Sequence, residues 1–372
     1  PKSIQSIISK AKNEGQTPDD YAKGSFYPSQ KQVAKVFKQY EFEKSSAHAL
    51  DFDDLLLKAL ELFENHPEVR EKWQNRFAHI LIDEYQDTNV VQYQLIKTLV
   101  NDDRNICVVG DDWQSIYAFS GSDITLFTQF QQKMGYAKEL KIVKTYRNPQ
   151  EVIDIAGGFV QENETQIKKE LISPKHIEKP VVIFTYNDDY QAVKDNGFKN
   201  DTEAKAKMIE DAITRVLEYN EKEKKPKTSS ILLIGRYNFD VIKIGNTPYF
   251  TYNENNGEIK SNKYPKINLT FMTAHSSKGL GYDNVIIING KDDLLGFPSK
   301  IEDDPIMQLV IKRDEKLEFS EERRLFYVAL TRTKNKVYII VPQKHPSSFV
   351  TEIKDQFTNI ILNGYLYASE SY

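Results

Sequence analysis

Apolar residues follow two rhythms along this chain, and the rhythms alternate. Short, nearly uninterrupted apolar runs at 77–82, 106–109, 140–143, 181–184, 231–234, 267–272, 285–288 and 337–341 have the length and composition of buried strands. Between them, apolar positions recur at helical spacing over 90–100, 123–134, 201–219 and 320–333. Pro149 opens a further helix that carries Val152, Ile153 and Ile155. Strands alternating with helices predict a parallel sheet with helices on both faces. The first 44 residues read differently, as short polar helices. Ile4, Ile7 and Ile8 share one face, and Val33, Val36, Phe37 and Tyr40 share another, with Gly15 and 24–28 as breaks. Asp51 or Asp53 caps the next helix, which holds Leu55, Leu56, Ala59, Leu60 and Phe63. Residues 220–228, rich in Lys and Glu, read as a solvated helix end and loop. No repeat of fixed period and no long low-complexity tract interrupts the pattern.

At 372 residues the chain has room for two domains. Its 40% hydrophobic and 28% charged residues suit a globular protein, and no stretch is apolar for long enough to span a bilayer. No secretory signal is read ahead of the first helix, and a cytoplasmic location is expected. The single cysteine, Cys107, lies in the run 106–109 and is expected to be a small core residue. One cysteine excludes a disulfide framework and a cysteine-based metal site. The net charge of −4 gives no overall basic footprint, so any nucleic-acid binding must rest on local patches and on stacking, which 21 Tyr and 20 Phe allow.

Candidate chemistry begins at 81–89, LIDEYQDTN, which puts adjacent carboxylates, Asp83 and Glu84, at the end of an expected buried strand. Strand tips are where open α/β sheets hold ligands. Neighbouring carboxylates repel unless a cation or a proton separates their roles. The residue types point to Asp83 facing a Mg²⁺ that carries nucleotide phosphate, with Glu84 orienting or deprotonating a water. A solvated strand-to-loop turn would use the same residue types. A second strand end follows in VVGDDWQSIYAFSGS (108–122). Gly110 permits a tight turn there, Asp111 and Asp112 add negative charge, and Gln114 offers an uncharged donor.

Those two segments, followed by TYRN (145–148), FMTAHSSKGLGYDNVIII (271–288) and EERRLFYVALTRTK (321–334), resemble motifs II to VI of superfamily 1 DNA helicases of the UvrD/Rep type, in order. The GDDWQ form and DDLLGFPS (292–299) look closer to the DNA helicase IV branch. The short interval between TYRN and FMTAH leaves no room for the large subdomain that UvrD-type enzymes insert there. The resemblance implies an α/β fold of two RecA-like parallel-sheet domains, the first incomplete, with a small N-terminal helical segment. Residues 1–50 correspond to the accessory helical segment, 51–137 to the C-terminal part of the first motor domain, and 138–372 to the second. No G-x-x-x-x-G-K-[ST] occurs, so the family's phosphate loop, which lies upstream of motif II, is missing. Poor ATP affinity and negligible hydrolysis are expected of this stretch alone.

Residue by residue, the resemblance implies that Asp83 coordinates Mg²⁺ through water and that Glu84 is the general base. Gln114 senses the γ-phosphate, Tyr146 stacks on adenine, and Arg147 and Arg332 reach the γ-phosphate, with ATP in an interdomain cleft. Tyr117 and Phe119, on one side of an expected extended segment, stack on single-stranded bases, with core packing as the rival role for Phe119. Thr273, His275 and Lys278 match the family's T-x-H-x-x-K-G and support contact with the DNA backbone and interdomain coupling. A metal role for His275 lacks a second His or Cys at suitable spacing. Gly281 stands where UvrD-like members place a ribose-binding Glu, so that carboxylate is absent. The implied function is an ATP- and Mg²⁺-dependent motor moving 3′ to 5′ on single-stranded or single-strand-tailed DNA, in a setting such as DNA repair. A helicase–nuclease subunit and an RNA-polymerase-associated factor on the same scaffold are the alternatives. The first lacks a C-terminal carboxylate cluster with a nuclease-like lysine, and the second lacks recognisable extra insertions.

Overall fold

The computed structural model describes residues 2–25, 27–101, 106–226, 229–301, 317–358 and 360–364. They fall into two compact units that meet in sequence at Leu140 and Lys141. Pro1 and the 227–228 end of the expected solvated loop lie outside the described residues.

Unit 1 opens with α1 (Lys2–Asn13), α2 (Pro18–Lys23) and α3 (Pro28–Ser46). Prolines at the first helical positions of α2 and α3 set the helical φ where a backbone N–H is not needed. Ile7, Ile8 and Ala11 of α1 bury against Tyr21, Val33, Ala34 and Phe37. Val36 and Tyr40, expected on that face, are exposed instead, and the Tyr40 hydroxyl donates to Asp51 (3.0 Å). Asp51 caps α4 (Phe52–Asn65) in a reciprocal box with Asp54. Leu60 and Phe63 point into the core, whereas Leu55 stays exposed.

A charged knot joins these helices. Lys12 Nζ lies 2.6 Å from Asp51 and 2.5 Å from Asp54, and Lys44 Nζ lies 2.8 Å from Glu41 and 2.6 Å from Asp54. Glu41, Asp51 and Asp54 have the spacing to hold a metal ion, but these two ammonium groups already supply the positive charge. Burial alone would raise the pKa of Asp51 and Asp54. Hydrogen bonds, led by Lys12, outweigh it and hold both carboxyls below the ordinary carboxylate range.

The unit continues through α5 (Pro67–Gln74), β1 (Ile80–Ile82), α6 (Val90–Leu99), β2 (Ile106–Val108), α7 (Thr125–Thr128) and α8 (Phe130–Met134). Strands β1 and β2 pair in parallel with each other, Ile82 opposite Val108. Ile80 and Ile82 line hollows shared with α6 residues, while the alternate face is open. Leu81 is 77% exposed and Cys107 is exposed as well. Neither the buried strand nor the core cysteine expected from the apolar runs is found, because one face of a two-stranded ladder has nothing packed on it among the described residues. The helix expected over 123–134 is broken at Gln129 into α7 and α8.

Unit 2 holds α9 (Gln150–Val160), β3 (Val181–Tyr186), α10 (Tyr190–Asp195), α11 (Asp201–Lys222), β4 (Ser230–Gly235), α12 (Phe239–Gly245), β5 (Phe250–Asn253), β6 (Glu258–Ser261), β7 (Asn268–Thr273), β8 (Tyr282–Ile287), α13 (Ser320–Leu330), β9 (Thr333–Pro342), α14 (Ser348–Gln356) and β10 (Ile360–Gly364). Its sheet is parallel, ordered β10-β3-β9-β8-β4-β7. Ala212, Ile213 and Val216 of α11 pack on Phe184, Leu233 and Tyr338 across one face. On the other, Phe159 of α9, Phe326 of α13 and Phe349 of α14 meet with ring centroids 5.1–5.7 Å apart. The expected α/β class therefore holds. The strand expected over 140–143 does not form. Leu140 and Ile142 are exposed, and the segment makes one bridge, Lys144 to Ile172, too little for a ladder. The hairpin β5–β6 and strand β10 were not anticipated.

Acid is expected to loosen unit 1. Carboxyls whose folded pKa is depressed contribute stability fully above their unfolded value of 3.8 and lose it as pH falls through the depressed range. Followed by the fluorescence of Trp73 and Trp113, the urea midpoint drops steeply below about pH 4 in the wild type and less steeply in Asp51→Asn/Asp54→Asn. Equal pH dependence in the two proteins would show that the knot contributes nothing.

Candidate functional site

Beyond β1 the chain turns through Asp83 and Glu84, both exposed. Glu84 adopts φ 50°, ψ 38°, the left-handed region, which costs a residue with a side chain about 1–2 kcal/mol. The 3₁₀ turn Tyr85–Asp87 holds it there. Tyr85 is fully buried, its ring edge-on to Phe130 at 5.6 Å, and its N–H donates to the Val109 carbonyl (2.9 Å). Burial pushes its hydroxyl pKa up to about 12.

Gln86, also fully buried, is the junction. Its Nε2 donates to Glu84 Oε2 (2.5 Å), and its Oε1 accepts the Asp111 N–H (2.9 Å). A Cβ on Gly110 would lie 2.7 Å from Gln86 Oε1 and 2.9 Å from the Phe127 ring, so glycine is what allows this approach. Asp111 Oδ2 then accepts from Gln114 Nε2 (2.7 Å). Glu84, Gln86, Asp111 and Gln114 thus form one hydrogen-bonded chain across the carboxyl ends of β1 and β2. A cavity of about 330 Å³ opens beside it, lined by Asp83, Glu84, Asp87, Thr88 and Gln92 among others.

Tyr117 and Phe119 do not lie on an extended segment. Ala118–Ser120 is a 3₁₀ turn ending at Gly121 (φ 95°), closed by Ser120 N–H to Tyr117 O and Gly121 N–H to Ala118 O. The turn still brings the rings together, centroids 5.9 Å apart at 61°. Phe119 is 47% exposed, so it is not a core residue of unit 1. Burial, and then the charges of Asp87 and Glu84, raise the Tyr117 hydroxyl pKa.

In unit 2, three of the sequence motifs meet. Tyr146 is 70% exposed, with Lys144 Nζ 5.4 Å from its ring centre. Arg147 is exposed, and a Cβ on Gly281 would lie 3.4 Å from its Nε. Asn148 is buried and donates from Nδ2 to the carbonyls of Thr331 (2.9 Å) and Thr333 (2.7 Å), on either side of Arg332. Arg332 is 1% exposed. Its guanidinium donates to Val328 O (2.9 Å), Leu280 O (3.2 Å) and Thr331 Oγ1 (3.1 Å). Thr273 ends β7, with its hydroxyl 2.9 Å from Ser276 Oγ, and the half-buried His275 and Lys278 follow on the same loop. That loop runs on to Leu280, whose carbonyl meets Arg332.

Three elements escaped sequence reasoning. Gln86 and Asn148 carry no reactive group, and their only signal is an amide beside each motif's aromatic or arginine. The third is the pair Arg236–Glu322, bidentate at 2.6 and 3.2 Å, whose acceptor Glu322 also takes the Ser299 N–H (2.9 Å).

Comparison with known proteins matches the profile of the UvrD-like helicase C-terminal domain to residues 79–344 and that of the UvrD/REP helicase N-terminal domain to residues 1–135. The chain belongs to the UvrD-like helicase family. Among its relatives, the ATP-dependent DNA helicase PcrA of Staphylococcus epidermidis is 40% identical over 171 residues, 46% of this chain and 24% of that protein. DNA helicase IV of Escherichia coli K12 is 28% identical over 327 residues, 87% of this chain and 42% of that protein. The chain therefore spans less than half the length of these UvrD-like relatives. A solved C-terminal domain of a possible DNA helicase from Lactobacillus plantarum overlaps 59% of the chain and 99% of its own length at 15% identity and a TM-score of 0.33. No helix among the described residues is long and apolar enough to cross a membrane.

Removing the Asn148 amide leaves two buried carbonyls without that donor, at about 1–3 kcal/mol for each one left unpaired. Asn148→Ala is therefore expected to destabilise unit 2 by about 2–6 kcal/mol in urea unfolding followed by circular dichroism. A loss within experimental error would mean that the clamp is dispensable.

Proposed function

We propose that this chain is the motor portion of an ATP-dependent DNA helicase or translocase that moves 3′ to 5′ on single-stranded or single-strand-tailed DNA. The observation that carries the reading is the hydrogen-bonded chain from Glu84 through Gln86 and Asp111 to Gln114. It links a strand-tip carboxylate to a neutral donor on the loop that follows the next strand, an arrangement suited to coupling a water-activating base to a phosphate sensor. Residues 51–137 serve as the C-terminal part of one motor domain and 138–372 as the second.

In this reading ATP is held between the carboxylates of one domain and the arginines of the other. The residues present suit Mg²⁺. Asp83 is exposed, and its Oδ1 accepts its neighbour's N–H (2.9 Å). When bound, the ion neutralises phosphate charge during transfer. Glu84 takes the proton of the attacking water, with Gln86 fixing its carboxylate. Tyr146 offers an open face to adenine, and Arg147 lies beside it in sequence. Arg332 reaches phosphate by exchanging its bond to the Leu280 carbonyl, which links nucleotide state to the Thr273–Lys278 loop and so to DNA. Tyr117 and Phe119 stack on bases. Work on single-stranded repair intermediates in the cytoplasm fits this reading.

Two measurements test it together. Purified as this stretch, the protein shows negligible ATPase activity with or without DNA, because it contains no phosphate-loop lysine. It nonetheless binds an oligothymidylate, and Tyr117→Ala/Phe119→Ala weakens that binding by about 1–3 kcal/mol per lost stacked base. Robust turnover would refute the first part, and unchanged oligonucleotide affinity the second.

A further inference from the structure

Lys10 on α1 is 2% exposed, among the largest fully buried side chains of the chain. Its Nζ donates to the carbonyl of Ala118 (3.1 Å), the residue between Tyr117 and Phe119. Helix α1 is seated close to this turn. A Cβ on Gly121 would lie 3.2 Å from Asn13 Cβ and 3.9 Å from Lys10 Cγ. Further along, Asn13 Oδ1 accepts from Asn89 Nδ2 (2.9 Å), docking α1 independently of Lys10.

Burying an ammonium is costly unless it is well bonded, and an apolar side chain of similar length would fill the same space without that cost. The ammonium makes a charge-assisted bond to the Ala118 carbonyl. That carbonyl also closes the turn by accepting the Gly121 N–H (3.0 Å). Fixing its direction fixes the Ala118–Phe119 peptide plane, which carries the Phe119 Cα and closes the turn that Tyr117 opens.

We propose that Lys10 is a positioning residue for the Tyr117–Phe119 platform: by holding the Ala118 carbonyl it fixes the turn that presents both rings to single-stranded bases. The inference rests on the stacking role proposed above and adds a link from the accessory helix to it.

The test compares Lys10→Met with Asn13→Ala, which removes the bond to Asn89 and keeps the Cβ that lies against Gly121. Two readouts are followed in the same chain: amide exchange at Ser120 and Gly121, and affinity for an oligothymidylate carrying 2-aminopurine, whose quenching reports stacking. Lys10→Met is expected to speed exchange at both amides and to weaken binding about tenfold, roughly the loss of one stacked base. Asn13→Ala is expected to leave both readouts near wild type. Equal changes in the two variants would overturn the proposal, because Lys10 would then only dock α1. Unchanged exchange in Lys10→Met would overturn the clasp itself. Faster exchange with unchanged oligonucleotide affinity would overturn it through the stacking role, which Tyr117→Ala/Phe119→Ala checks separately.

Discussion

A single buried amide organises the carboxyl ends of β1 and β2 in unit 1. Gln86 has no access to solvent, yet it holds a carboxylate on its nitrogen side and a peptide N–H on its oxygen side. Both partners belong to loops that leave parallel strands at the same edge. The amide therefore sets the distance between the ends of β1 and β2 and the direction of the Glu84 carboxylate at once. It also accounts for two otherwise unfavourable features: the left-handed backbone at Glu84 and the glycine at 110. Strain of that size persists where surrounding bonds over-determine it, and here Tyr85 beneath the turn and Gln86 beside it do so.

Unit 2 uses the same device on different groups. Asn148 follows Arg147 directly and binds the carbonyls that flank Arg332, so one amide ties the two arginine-bearing segments into one piece. Arg332 is itself spent on protein acceptors, including a carbonyl of the loop that starts at Thr273. The candidate charged side chains thus lie at or near the surface or are engaged by protein acceptors, while neutral amides fix their geometry. Neutral amides suit this role because they donate and accept at once, and burying them costs far less than burying a charge.

Much of this architecture was legible along the chain. The runs at 181–184, 231–234, 267–272 and 285–288 became β3, β4, β7 and β8 with small shifts at their ends; β3, β4 and β8 are central strands that need near-continuous apolar stretches, and β7 is a half-buried edge strand. Asp51 caps the start of α4 with its side chain, and Pro149 stands directly before the first turn of α9. The runs at 77–82 and 106–109 looked just as buried, yet Leu81 and Cys107 face outward. Apolarity records what a strand can pack against, not what this stretch of chain supplies. The hairpin β5–β6 was missed because its strands are short and polar, despite the Asn255-Asn256-Gly257 turn. The curl at Ala118–Ser120 was missed because alternation is equally satisfied by an extended segment. Gln86 and Asn148 could not be singled out, since their roles exist only once distant segments come together.

The central claim is that the Gln86 amide couples the Glu84 turn to the loop carrying Gln114. Residue-resolved amide hydrogen exchange on Gln86→Ala tests it most directly. The account predicts much faster exchange at Asp111, whose N–H bonds directly to the lost side chain, with the ladder amides of β1 and β2 unchanged. Uniform acceleration across unit 1, or no change at Asp111, would contradict it.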